Sequence, residues 1–258
     1  MDNSLSGFGI AVTRPLDQAK RLCAAIEEQA GTAIVFPLIA IAPLDNYSVF
    51  DETINQLQSV DWAIFISTNA VDNALPRLIK KFPSIPDNIK FAAIGQQTAK
   101  ALALFGVPEV LIPDTRFDSE SLLALPEMHD VINKTVMIFR GIGGREVLAD
   151  TLKSRGAHII FAESYRRINP QTSCAELAQL WHKQQLHAIV VTSSEAMRHL
   201  LQMTNNGSDE WIRNIHICVN HARIAEAADM LALNISVADA PGDEAMLACL
   251  QSVLGHQS

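Results

Sequence analysis

The chain has 258 residues, of which 48% are hydrophobic and 19% charged, and a net charge of −8. That composition is typical of a folded globular protein, and the acidic balance argues against nucleic acid as the main partner. A local anion site stays open, because salt screens distant surface carboxylates beyond about 8–10 Å.

No uncharged apolar run approaches the ~20 residues needed to span a bilayer. The start, Met1-Asp-Asn-Ser-Leu-Ser, lacks the basic n-region and apolar core of a signal peptide. The expected location is the cytoplasm, with no membrane partner. Cys23, Cys174, Cys218 and Cys249 are scattered without a CxxC pair. They read as buried free thiols, which suits a reducing compartment.

Short apolar runs alternate with helix-period segments, which indicates βαβ units and parallel sheets. The expected strands are Gly9–Thr13, Ala33–Phe36, Trp62–Ser67, Lys90–Ile94, Glu109–Ile112, Thr135–Arg140, His158–Ala162, Ala188–Thr192, His216–Val219 and Ile235–Ala238. Most are nearly all apolar, as a strand covered on both faces requires. The expected helices are Pro15–Ala30, Asn69–Lys80, Gln97–Gly106, Asp118–Leu125, Arg145–Arg155, Cys174–His182, Glu195–Met203, Ala222–Ala232 and Asp243–Leu254. Gly31, Gly106 and Gly156 fall just past helix ends, where a left-handed cap residue belongs.

The pattern repeats at a spacing of 126 residues. Ile10-Ala-Val-Thr-Arg14 answers Val136-Met-Ile-Phe-Arg140, and Trp62–Ser67 answers Ala188–Ser193. Thr98-Ala-Lys-Ala-Leu answers Ile224-Ala-Glu-Ala-Ala. Two similar α/β domains of about 120 residues follow, and a cleft between such domains is a usual place for a small ligand. Periodicity leaves two splits open. One is a tandem cut near residue 134. In the other, the first βα unit packs with the C-terminal block around an inserted middle domain, and two extended linkers can pair as a short β-ladder hinge.

Ligands of open parallel sheets bind at the carboxyl ends of the strands. In the first such loop Arg14 precedes a helix start and can add to an anion site; the plain alternative is an exposed arginine beside a cap. Its counterpart, Arg140-Gly-Ile-Gly-Gly-Arg145, offers Gly141, Gly143 and Gly144 for close backbone approach, with N–H groups to cradle a carboxylate or phosphate. It has no third glycine of a dinucleotide loop and no GK[ST] phosphate loop. The third loop presents Ser67 and Asn69, with Ser193 as the twin of Ser67. These serines are ordinary N-caps that can also reach a ligand. The fourth presents Gly95, Gln97 and Thr98, while its twin has Asn220-His-Ala-Arg223 instead. No histidine, cysteine or carboxylate spacing reads as a metal site, and no nucleophile motif surrounds either serine.

These segments, with Phe36-Pro-Leu-Ile39, Leu111-Ile-Pro113, Glu146 and Glu163-Ser-Tyr-Arg166, run in the order of a known family. The chain resembles the uroporphyrinogen-III synthases, which close linear hydroxymethylbilane with inversion of its last pyrrole ring and loss of water. Each motif is short, and their colinearity carries the resemblance.

The resemblance implies two flavodoxin-like domains joined by a two-stranded ladder, with the reaction in the cleft between them. Domain 1 is then 1–37 plus 170–258 and domain 2 is 42–165, with linkers 38–41 and 166–169. It implies a cofactor-free lyase of heme biosynthesis, in at most transient contact with hydroxymethylbilane synthase; a monomer is the default expectation. It points to Tyr165 and Thr98 as catalytic residues, and the strand-end reading adds Arg14, Arg140, Arg145, Arg223, Asn69, Gln97 and the loop glycines and serines as partners for the carboxylates of the substrate. The competing readings are a non-catalytic two-domain anion binder, a nucleotide- or sugar-phosphate-using transferase and a catalytically silent relative.

Overall fold

The computed structural model describes residues 4–82, 86, 88–107, 109–114, 116–226, 228 and 231–255. In chain order the elements begin with β1 (Gly9–Val12), α1 (Leu16–Glu28), β2 (Thr32–Val35), β3 (Ala40–Pro43) and α2 (Ser48–Thr53). A 3-10 turn, Ile54–Ser59, leads into β4 (Trp62–Phe65), α3 (Thr68–Lys81), β5 (Lys90–Ala93), α4 (Gln96–Leu104) and α5 (Ser119–Leu123). After a short 3-10 turn come β6 (Thr135–Gly141), α6 (Val147–Ser154), β7 (His158–Ile168), α7 (Ala175–His182) and β8 (Ala188–Val191). The chain ends with α8 (Ser194–Met203), α9 (Glu210–Asn214), β9 (His216–Val219), α10 (Ala222–Glu226), β10 (Ile235–Val237) and α11 (Asp243–Gly255).

The chain forms two compact units, Met1–Ala40 with Ile168–Ser258, and Ile41–Arg167. In the first unit the sheet order is β10-β9-β8-β1-β2, with every pair parallel. Counted along that unit from β1, this is the flavodoxin-like order 2-1-3-4-5. The second sheet reads β3-β7-β6-β4-β5, parallel from β7 to β5. A shift of 126 residues carries β1 onto β6, β2 onto β7, β8 onto β4 and β9 onto β5, so the repeat is a repeat of sheet neighbours. Segments 38–41 and 166–169 overlap the ends of β3 and β7, which are neighbours in the second sheet.

The strands are apolar because both faces are covered. Along β1, β8 and β9, Ala11, Ile189, Val191 and Ile217 pack into one core with α7, α8 and α9. The alternate residues Ile10, Val12, Val190 and Cys218 pack into another with α1 and α11. The second unit repeats the arrangement, with Ala63, Phe65 and Phe139 on the α3 and α4 side and Trp62, Ile64 and Ile138 on the α5 and α6 side. Strands buried in this way leave only their ends and loops for polar chemistry.

Several details differ from the sequence reading. The expected strand Glu109–Ile112 shrinks to one parallel bridge, Ala92 to Leu111. Pro108 and Pro113 bracket it and cannot donate to a ladder. β3, α2 and α9 are elements that periodicity did not show. α6 begins at Val147 rather than Arg145. Residues 227 and 229–230 of the expected helix Ala222–Ala232 lie outside the described residues.

Gly106 and Gly156 take φ of +84° and +87° as expected, but after α1 it is Ala30 that turns left-handed, at +62°. Gly31 serves a different need, because a Cβ there would lie 2.9 Å from Ile26 Cγ2. All four cysteines are free, and Cys249 is only half-buried. Burial pushes the Cys174 thiol up to about 12. Among the described residues no helix is long and apolar enough to cross a membrane.

Asp61 ties β4 to β6, with its carboxylate accepting from Thr135 N at 2.8 Å and from Lys134 Nζ at 3.1 Å. The Thr135 amide is the main cause holding its carboxyl below the usual range. Its stabilisation is therefore full above the ordinary carboxylate value near 4 and is lost as pH falls through the lower folded value. Asp61→Asn should cost about 0.5–1 kcal/mol at pH 7, given the partial exposure of the group. Thermal unfolding of both proteins between pH 7 and pH 2.5 should show the difference shrinking as the pH falls.

Candidate functional site

β6 is apolar from Val136 to Phe139, and at Arg140 and Gly141 its register with β7 shifts. Arg140 pairs with Glu163 and Gly141 with Tyr165, so Ser164 is an extra residue on β7. Its hydroxyl turns back to the Arg140 carbonyl at 3.5 Å. Such a bulge re-aims the side chains that follow it. Before it, Ile160 and Ala162 face one core while Ile159 and Phe161 face the other. After it, Tyr165 joins the Ala162 side, where strict alternation would have put Ser164. The tyrosine is 1% exposed.

The ring of Tyr165 lies against Gly141, where a Cβ would meet Tyr165 Cε2 at 2.5 Å. Tyr165 Oη lies 3.3 Å from Ser67 Oγ, and either oxygen can donate. Ser67 is the N-cap of α3, accepting from Ala70 N at 3.1 Å. Tyr165 and Ser67, 98 residues apart, thus form one hydroxyl pair. Asn69 is half-buried in the first turn of α3, and its carbonyl accepts from Asn73.

The Arg140–Arg145 loop is held by its own arginine. Arg140 Nε donates to Gly141 O at 3.2 Å, and Nη2 donates to Gly143 O. Gly143 and Gly144 take φ of +69° and +104°, which L side chains rarely adopt. The Gly143 N–H, expected to be free for an anion, donates to Glu163 Oε1 at 3.2 Å. The Arg140 guanidinium lies 4.8 Å from the Phe161 ring centre, and the residue is 3% exposed. Arg145 is exposed. Asp118, whose carboxyl is held low chiefly by hydrogen bonding to Ser121, feels the charges of Arg116 and Arg145 as well.

Arg140, Gly143, Gly144 and Arg145 line a cavity of about 310 Å³, joined by Phe161 and Arg167. A second hollow of about 260 Å³ holds Gly95, Gln97 and Thr98, and Ile66, Ile94 and Phe117 line both. Gly95 is the N-cap of α4, and a Cβ on it would come 2.9 Å from Phe117 Cβ. Gln97 is exposed and Thr98 is 6% exposed. The second unit therefore gathers Ser67, Tyr165, Thr98 and the glycine–arginine loop at the carboxyl ends of β4, β5, β6 and β7.

In the other unit Arg14 is already ion-paired with Asp243, so its charge is matched within the fold. Ser193 caps α8, accepting from Ala196 N at 3.0 Å, a copy of the Ser67 cap. Arg223 is exposed, with its backbone N–H donating to His221 Nδ1 at 3.1 Å. Asn220 Oδ1 is buried without a partner among the described residues. Among the described residues of either unit, no group could hold a metal ion. The sequence reading missed Arg167, Phe161, Phe117 and Glu163. Arg167 was accessible in principle, lying two places beyond Tyr165 on one strand.

The uroporphyrinogen-III synthase HemD family model matches residues 20–248. The Escherichia coli uroporphyrinogen-III synthase is 34% identical over 249 residues, covering 95% of this chain and all of that protein. The Salmonella typhimurium enzyme of the same name is 32% identical over 246 residues, with 95% and 100% coverage. Among solved structures, a mutant uroporphyrinogen III synthase from the extremely thermophilic bacterium Thermus thermophilus superposes with a TM-score of 0.62 at 16% identity, covering 97% of this chain and 99% of that one. The Helicobacter pylori enzyme gives 0.63 at 16% identity, with 95% and 99% coverage. These two establish a shared fold.

The contact between Gly141 and Tyr165 makes a direct test. Gly141→Ala forces the ring or the strand to move, at a cost of about 1–3 kcal/mol. Combined with Tyr165→Ala the methyl has room, so the extra cost should nearly vanish. Chemical denaturation of the two single variants and the double variant measures this coupling.

Proposed function

The chain belongs to the uroporphyrinogen-III synthase family of cofactor-free lyases, which cyclise hydroxymethylbilane, and we propose that the Tyr165 cluster described above carries that reaction here. The substrate has carboxylate side chains on every ring. Loss of its terminal hydroxyl gives an azafulvene, and attack at the substituted carbon of ring D gives a spiro intermediate. That intermediate opens and recloses as uroporphyrinogen III. Spontaneous closure gives the unrearranged type I ring. The main task is therefore to hold one conformation, which is an orientation effect.

The buried hydroxyl of Tyr165, held between Ser67 and the face of Gly141, carries the reading. It is a rigidly placed proton donor at the end of a strand, suited to assist departure of the hydroxyl as water. The Ser67 hydroxyl fixes its direction. Thr98 supplies a second hydroxyl beside the same loops. The guanidiniums of Arg140 and Arg145, with N–H groups at the starts of α3 and α4, suit carboxylates through charge-assisted hydrogen bonds. In the other unit, Ser193 and Arg223 are the proposed contacts, while Arg14 serves a ligand only in competition with Asp243. Free thiols fit a cytoplasmic enzyme, acting as a monomer.

Freshly prepared hydroxymethylbilane, incubated with the protein, oxidised and separated by isomer, should yield mainly type III. Type I alone at the uncatalysed rate would leave a non-catalytic anion-binding relative instead. Tyr165→Phe should lower turnover by about 10²-fold or more, the range of a general acid. Its residual product should remain type III, because orientation is kept. Full turnover in that variant would remove the proton-donor role.

A further inference from the structure

Buried cations in proteins are normally paired with an anion, because removing an unpaired charge from water is costly. Arg140 departs from that rule. It is 3% exposed, and among the described residues its guanidinium meets two carbonyl acceptors and the Phe161 ring. The cavity of about 310 Å³ beside it is also lined by Arg145 and Arg167. None of these three forms an ion pair among the described residues.

The acidic groups nearby are already occupied. Asp118 faces the cavity, but it accepts from Ser121 N at 2.8 Å and is ion-paired to Arg116 at 3.2 Å. Glu163 holds the Gly143 N–H. The cavity lining therefore sets three arginines against the single carboxylate of Asp118, which leaves an excess of positive charge. The Arg167 guanidinium also lies 6.0 Å from the centre of the Tyr165 ring. The space is at the lower end of ordinary ligand pockets, about 300–1,000 Å³. That suits a single ring with its side chains rather than a chain of four rings.

We propose that this cavity receives one pyrrole ring of the substrate through its acetate and propionate carboxylates, with Arg167 the principal grip and Arg145 its partner. The inference rests on the synthase reading and adds a binding residue to it. Arg140, tied to its own loop, supplies fixed positive charge, while Arg145 and Arg167 have donors to spend on carboxylate oxygens. Arg167 is then a binding residue that holds a ring beside Tyr165, with no part in proton transfer.

Two measurements test it on the full chain. In steady-state assays with hydroxymethylbilane, Arg167→Gln should raise KM by roughly ten- to a hundredfold, the equivalent of losing a charge-assisted hydrogen bond. kcat should change by less than about threefold, because the interaction is present in ground and transition states alike. Arg167→Lys should recover part of the loss. Lys20→Gln, which removes an equal charge from an exposed helix site, should leave KM unchanged.

The second measurement is calorimetric titration with a monopyrrole bearing one acetate and one propionate, at low and high salt. The unaltered protein should bind it more weakly as salt rises, and Arg167→Gln should bind at least tenfold more weakly still. Unchanged KM and unchanged monopyrrole affinity in Arg167→Gln would overturn the proposal. So would a fall in kcat with KM preserved, which assigns Arg167 to the chemistry. If the unaltered protein released only type I product, the synthase reading would fail, and the titration alone would decide the cavity. Saturable binding lost in Arg167→Gln would uphold the grip, and its absence in the unaltered protein would overturn it.

Discussion

Covering both faces of each parallel sheet is the constraint on which the rest of the molecule depends. Ile10 and Ala11, or Ile64 and Phe65, point to opposite sides and are buried on both. A strand used in that way has no surface left for polar work. Chemistry is confined to the residue or two at which each strand stops, and to the caps of the helices that follow. Ser67 and Ser193 show the economy of this plan. Each ends an apolar strand, starts a helix and satisfies an orphan amide, with a hydroxyl oxygen left within reach of a neighbour.

Two local departures from regular geometry turn one such strand end into a site. The extra residue Ser164 changes the side on which β7 presents its next side chain, and this brings a tyrosine into the core. The missing side chain of Gly141 makes room for its ring. The polar loop beside it is shaped from within, because Arg140 binds the carbonyls of its own turn and Glu163 takes an amide. A loop fixed by its own charges needs little reorganisation when a ligand arrives, which is the basis of electrostatic preorganisation.

The apolar strands and the repeat at 126 residues were legible because burial writes itself into composition and period. Periodicity alone did not give the pairing of β1 with β8, since either split satisfies it, and the grouping of β1 with the C-terminal block came only from family likeness. Glu109–Ile112 looked like a strand by composition but meets its neighbour at one bridge only. Among the candidate residues, Tyr165 came from family likeness, whereas Arg140, Ser67 and Gly95 came from their places at strand ends. The engagement of Arg14 by Asp243 depends on a contact spanning 229 residues, which no local pattern reveals. The bulge at Ser164 left no mark either, because an inserted serine in a strand reads as one more polar residue.

The divided first unit also sets a timetable for synthesis. β1 and β2 emerge first, yet β1 has its other neighbour in β8, which follows the whole of Ile41–Arg167. At about 5–20 residues per second, the roughly 150 residues between β2 and β8 take about 8–30 s to be made. For that interval β1, buried throughout in the finished sheet, has one open edge and only α1 to shelter it. The inserted unit can complete its sheet in the meantime from residues already released. The nascent chain therefore carries a finished domain and a waiting hairpin-sized fragment at once, a period in which a holdase on the ribosome has most to protect.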